Sequence, residues 1–142
     1  MELHIPQSIF ESIVGHAEDA APAECCGYLA TEGQTVRRQF PLTNLDKSAT
    51  HYTMDPAEQF GALQAAREEG LKLGVVYHSH PDTPPRMSNE DLRLAHDEAV
   101  IYLIYSRATE EARAYTVINH AVDQEVSLQI ISDGPDESAE QA

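Results

Sequence analysis

Two histidines one residue apart, in His78-Ser79-His80-Pro81, are followed by Ser88 and Asp91. At a strand's end, side chains at i and i+2 point to the same side, so both imidazoles can hold one metal ion. The carboxylate of Asp91, on the first turn of a helix, can complete the set. Two histidines and an aspartate leave a tetrahedral zinc one open position for water, which separates a catalytic zinc from a structural one. A plainer reading stands beside this one. Ser88-Asn89-Glu90-Asp91 also has the form of a capping box, in which Ser88 caps a helix and the residue three later answers it.

The neighbouring segments are suited to placing these residues. Leu71-Lys72-Leu73-Gly74-Val75-Val76-Tyr77 is an apolar, β-favouring run that reads as a buried strand leading into His78. In Pro81-Asp82-Thr83-Pro84-Pro85-Arg86, three prolines remove donors and fix the backbone, so the strand cannot continue. Ser88 then starts a helix expected to carry Leu92, Ala95 and Ala99 on one stripe. The segment is strand, stiff loop and helix, with the candidate ligands at the two junctions.

The pattern resembles the JAMM (MPN+) metallopeptidase family, whose signature is an early Glu, then His-x-His-Pro, then Ser-x-x-Asp. Here ten residues separate His80 from Asp91, and Pro22-Ala23-Glu24-Cys25-Cys26-Gly27-Tyr28-Leu29 supplies the early glutamate. The resemblance runs from about Ile5 to Ile131 and implies a cytidine-deaminase-like α/β architecture, a mixed sheet flanked by helices. It implies one zinc per chain held by His78, His80 and Asp91, which would lower the pKa of its water from near 16 to about 7. Glu24 would then be the general base that takes the water's proton and later passes it to the leaving amine. Ser88 would stabilise the tetrahedral oxyanion through its hydroxyl. Without the other half of the signature, Glu24 would read as a solvated residue before a strand.

The chain has 142 residues, of which 42% are hydrophobic, an ordinary globular share that can build one core without disulfides. The expected organisation is one domain over residues 1–131, with residues 132–142 an acidic, disordered tail. No apolar run approaches the roughly 20 residues that span a bilayer. The start, Met1-Glu2-Leu3-His4-Ile5-Pro6, has neither the basic region nor the apolar core of a secretory signal, so a cytoplasmic protein is expected. Cys25 and Cys26 are adjacent in an apparent strand and point to opposite faces, so two reduced thiols are expected there, at least one in the core. With 9 Lys and Arg against 24 Asp and Glu, the net charge is −15. That charge repels nucleic acid and favours a partner with a basic surface.

The remaining elements follow from periodicity and punctuation. Pro6 to about Ala20 reads as an amphipathic helix with Pro6 in its first turn and Ile9, Phe10, Ile13, Val14 and Ala17 on one stripe. Strands are expected near residues 25–30 and 35–42 around a turn at Glu32-Gly33. Asp55-Pro56-Ala57-Glu58 opens a second helix, expected to turn Phe60 and Leu63 inward and to stop at Gly70. Residues 100–106, 112–118 and 122–131 read as three further strands. Tyr77, Tyr102, Tyr105 and Tyr115 fall in strands, as core or sheet-face residues. His4, His16, His51, His96 and His120 have no partner at ligand spacing, although His51 lies in a connection that could border a cleft.

The resemblance further implies hydrolysis of a peptide or isopeptide bond at the C-terminal tail of a ubiquitin-like protein. The chain resembles the compact single-domain prokaryotic type, for which the implied partner is a sulfur-carrier protein. Such a tail could add as a strand beside the sheet, with residues 43–54 and 81–87 as its nearest edges. A zinc peptidase acting on small peptides and a non-catalytic scaffold of the same fold are the competing readings; the scaffold would lack the ligands, which are all present. A nucleoside deaminase needs His-x-Glu and Pro-Cys-x-x-Cys, and neither is in the sequence.

Overall fold

Strand formation in residues 72–80 carries straight through the two histidines. In the computed structural model, which describes residues 1–133, the elements run β1 (Glu2–Pro6), α1 (Gln7–Ala20), β2 (Cys26–Glu32), β3 (Thr35–Leu42) and α2 (Pro56–Glu68). They continue as β4 (Lys72–His80), α3 (Asn89–Leu94), β5 (Ile101–Ser106), β6 (Glu111–Ile118) and β7 (Ala121–Ile131). The acidic stretch expected to be disordered lies almost wholly outside the described residues.

The sheet is mixed and closes on itself in the order β1-β3-β2-β4-β5-β6-β7. β4 runs antiparallel to β2, with Cys26 opposite His78, and parallel to β5, with His80 opposite Ser106. β1 is the closing strand, parallel to β7 over five residue pairs and to β3 at the single pair His4–Thr35. β1 is absent from the sequence reading. It is five residues long and ends in proline, yet it alternates so that Leu3 and Ile5 are buried. Pro6 is consequently the last residue of β1 and the N-cap of α1, one position before the first turn where the pattern placed it.

Alternation along β4 sorts its side chains between two environments. Val75 and Tyr77 enter the main core with Leu3, Leu29 and Leu103, against Ile13 and Ala17 of α1. Val76 faces the other side, where it touches both a cluster around Leu42 and Met54 and one around Val100 and Val117. His78 and His80 share the parity of Val76. The α1 stripe is as expected, with Ile9, Phe10 and Val14 packed on the core beside Ile13 and Ala17.

Two helix expectations fail. In α2 the inward residues are Ala62 and Ala66, while Phe60 is 61% exposed and Leu63 lies at the surface. Small residues let this helix sit close to the sheet, and that selects the alanine stripe over the bulkier one. The Asp55 cap and the first-turn Pro56 are as read, and Gly70 (φ +72°) terminates the segment. α3 is six residues long, so Ala95 is its buried C-cap and Ala99 is exposed beyond it. Gly33 (φ +61°) makes the β2–β3 turn at the expected place. Cys25 and Cys26 are free and buried in different clusters, in keeping with opposite faces.

Candidate metal centre

His78 and His80 leave β4 on one face, and both are almost fully buried, at 1% and 3% exposure. Between them Ser79 points to the opposite face, and its Oγ accepts a hydrogen bond from the Cys25 N–H at 2.8 Å. Ser79 N–H donates to the Cys25 carbonyl at 3.2 Å. These two bonds extend the β2–β4 pairing one residue outward and bring Glu24, 2% exposed, alongside the histidines. Asn44 anchors the same segment from the other side, with Nδ2 donating to the Glu24 carbonyl at 3.0 Å and to the His51 carbonyl at 3.2 Å. Neither Ser79 nor Asn44 was singled out in the sequence, although strand alternation through His-Ser-His would have put Ser79 on the reverse face.

Asp91 arrives from α3. Its Oδ2 lies 3.0 Å from His80 Nε2 and 3.3 Å from His78 Nε2, and the two Nε2 atoms are 3.2 Å apart. Metal bonds of 2.0–2.1 Å in a tetrahedral zinc site imply ligand atoms about 3.3–3.4 Å apart. The observed triangle is close to that size. The capping-box reading of Ser88 and Asp91 is also correct: Asp91 N–H donates to Ser88 Oγ, and Ser88 N–H donates to Asp91 Oδ2, each at 3.0 Å. The cap therefore aims the carboxylate that faces the histidines.

Hydrogen-bond chemistry tests whether the group fits a cation. His80 Nδ1 lies 2.9 Å from the Pro84 carbonyl, which can only accept, so Nδ1 carries a proton. In a neutral ring Nε2 is then a lone pair, aimed at a carboxylate oxygen and at a second imidazole nitrogen. With Nε2 of both rings free of protons, two imidazole nitrogens and a carboxylate oxygen converge on one point, a donor set that suits a divalent cation. The donor to Pro84 is also the usual outer partner that orients a metal-bound histidine. His78 has no such partner for Nδ1 among the described residues. The Tyr52 ring lies over His78 instead, at 4.9 Å between centroids and 33° between planes.

The same contacts set the proton affinities of these groups. Burial alone would raise the Asp91 pKa, but the hydrogen bonds and charge of His78 and His80 hold its carboxyl well below the usual range. For His80 burial acts downward, and the bonds to Asp91 and to the Pro84 carbonyl overcome it, raising the ring. Burial, reinforced by the negative charge of Asp91, pushes Glu24 up to about 8 against the pull of His80. Glu24 offers an oxygen within 4.8 Å of ligand nitrogens on both histidines, and its Oε1 has no hydrogen-bond partner among the described residues. Two carboxylates thus flank the histidine pair. Asp91 is the one at ligand-to-ligand distance from both rings. The neighbouring thiols are poor nucleophiles, since burial pushes Cys25 up to about 11 and Cys26 up to about 12.

A cleft of about 410 Å³ opens beside the centre, with buried His78 and Asp91 in its lining and Tyr52, Met54, Met87 and Tyr102 along its walls. His51, bonded to Asp46 at 3.0 Å, borders it as its place in the connection suggested. No helix among the described residues is long and apolar enough to cross a membrane.

Residues 6–118 match the family model of prokaryotic homologs of the JAB domain. Over 128 residues the chain is 32% identical to the CysO-cysteine peptidase of Mycobacterium tuberculosis, an alignment covering 87% of this chain and 88% of that protein. Identity is 35% over 130 residues with a Thermus thermophilus protein named a probable TtuB-protein conjugate cleaving protease, covering 91% of this chain and 83% of the relative. The solution structure of protein DSY2949 from Desulfitobacterium hafniense superposes with a TM-score of 0.82 at 36% identity, covering 92% of this chain and 94% of that one. A chain that carries this sequence pattern, fold and breadth of similarity belongs to the family of prokaryotic JAB-domain homologs.

Proposed function

We propose that this chain is a zinc-dependent peptidase that hydrolyses the C-terminal tail or tail conjugate of a ubiquitin-like or sulfur-carrier protein. The observation that carries this reading is the buried triangle of His78 Nε2, His80 Nε2 and Asp91 Oδ2, with the Glu24 carboxylate beside it. His78, His80 and Asp91 would hold one zinc per chain. When bound, zinc supplies Lewis acidity, which makes a water acidic near neutral pH and polarises a carbonyl. Glu24, whose affinity for a proton already sits near neutrality, takes the proton of the attacking water and returns it to the leaving amine. Ser88 accepts from the Asp91 N–H through Oγ, which leaves its own O–H free to donate to the developing oxyanion.

The substrate class rests on the relatives, one named for CysO-cysteine and one for TtuB conjugates. The cleft supports an extended segment, because residues 51–54 and Met87 line it from the two connections expected to border the substrate. The closed sheet changes how that segment is held. It closes between β1 and β3 at the single pair His4–Thr35, so among the described residues the outer side of β3 beyond Thr35 has no strand partner, and it leads into the 43–54 connection against which the tail would lie. The compartment consistent with reduced thiols is the cytoplasm.

The test is metal content and cleavage measured together on carrier proteins with C-terminal extensions and on short peptides of the same sequence. The parent should contain one zinc and cleave the carriers in preference. Glu24→Gln should keep the zinc and lose about 10²–10⁴-fold in turnover, the usual contribution of a general base. His78→Ala should lose both metal and activity. Parent-like cleavage by Glu24→Gln would remove Glu24 from its role, and equal cleavage of carrier and peptide would remove the carrier.

A further inference from the structure

The loop after β4 has few backbone handles, because Pro81, Pro84 and Pro85 cannot donate hydrogen bonds. Its carbonyls are held instead by side chains of the neighbouring strands. Ser106 Oγ, on the last residue of β5, donates to the Thr83 carbonyl at 2.7 Å. Tyr115 Oη, on β6, donates to the Pro85 carbonyl at 2.8 Å. Both residues are buried, Ser106 completely. Between the two held carbonyls stands that of Pro84, which accepts from Arg86 N–H at 2.8 Å and from His80 Nδ1 at 2.9 Å.

We propose that Tyr115 and Ser106 are positioning residues for His80, clamping the carbonyls on either side of Pro84 so that the Pro84 oxygen fixes the direction of the His80 ring. The clamp rests on the reading that His80 is a metal ligand, and it gives two residues outside the JAMM-like pattern a part in that site. The lever arm is short. A Pro84 carbonyl that pivots in this donor-poor loop turns the His80 ring with it, and the Nε2 lone pair on the far side of the ring swings away from His78 and Asp91. Packing accounts for the Tyr115 ring, but it does not account for a hydroxyl placed on this carbonyl.

The test compares zinc affinity, by chelator competition, for the parent, Tyr115→Phe and Ser106→Ala. Outer-sphere partners of metal-binding histidines are worth about 10–100-fold in affinity, so each single variant should lose about tenfold. Parent-like affinity in both variants would overturn the clamp. A second readout needs no metal: the solvent-exchange rate of the His80 Nδ1 proton by NMR. It should rise about tenfold or more in Tyr115→Phe and in Ser106→Ala, and an unchanged rate would also overturn the clamp. Failure of the parent to take up zinc would overturn the ligand reading, while the proton-exchange result still decides for or against the clamp.

Discussion

At the scale of single residues, Ser88 has two jobs that can be separated. Its Oγ accepts from the backbone of α3, and in the proposed mechanism its hydroxyl would donate to the oxyanion. Ser88→Ala should therefore lower the unfolding free energy by about 1 kcal/mol, the usual value of a cap. It should also lower turnover by about 10²–10³-fold, the usual value of an oxyanion donor. Ser88→Thr, which keeps acceptor and donor, should restore both, as read by urea denaturation and steady-state kinetics. The convergence of His78, His80 and Asp91 was legible, because strand parity and a capping box are local patterns with a fixed geometry, whereas Glu24 entered only through the family resemblance. Tyr52 over His78, and the Tyr115 contact with Pro85, were not legible. Each joins residues brought together only by tertiary packing, and a tyrosine in a strand carries no mark of what its hydroxyl will meet.

At the scale of elements, strands bounded by turn residues were read to within a few positions, and amphipathicity failed where helices are short or closely docked. Phe60 and Leu63 had the spacing of an inward stripe, yet Ala62 and Ala66 took the sheet side. Phe60→Ala should accordingly change stability by less than about 0.5 kcal/mol, as surface substitutions do. A core phenylalanine would cost about 3–5 kcal/mol. Gly27 on β2 gives the opposite case. A Cβ there would stand 2.5 Å from both the Phe40 carbonyl and the Tyr77 ring. Neither neighbour can swing aside, so Gly27→Ala should cost about 1–3 kcal/mol or more by overpacking. Denaturation midpoints of the two variants decide whether the helix and sheet faces are as described. β1 was missed for a related reason: five residues ending in proline carry too little alternation to stand out, and its pairing with β7 spans the length of the domain.

At the scale of the whole molecule, the net charge of −15 sets how a protein substrate approaches. Association with a carrier of basic surface should be steered electrostatically, so kcat/KM for the carrier should fall roughly fivefold or more between low and high salt. Hydrolysis of a short uncharged peptide should respond little over the same range, and matching salt profiles would rule the steering out. The sheet that bears the site has a further consequence. β4 is bonded along both sides, so the two imidazoles hang from backbone already fastened to β2 and β5 before any ion arrives. Only the acid comes from a separate arm, and its own helix cap has turned it to face them. A receptacle assembled by the ladder and the cap leaves its guest little ordering to do.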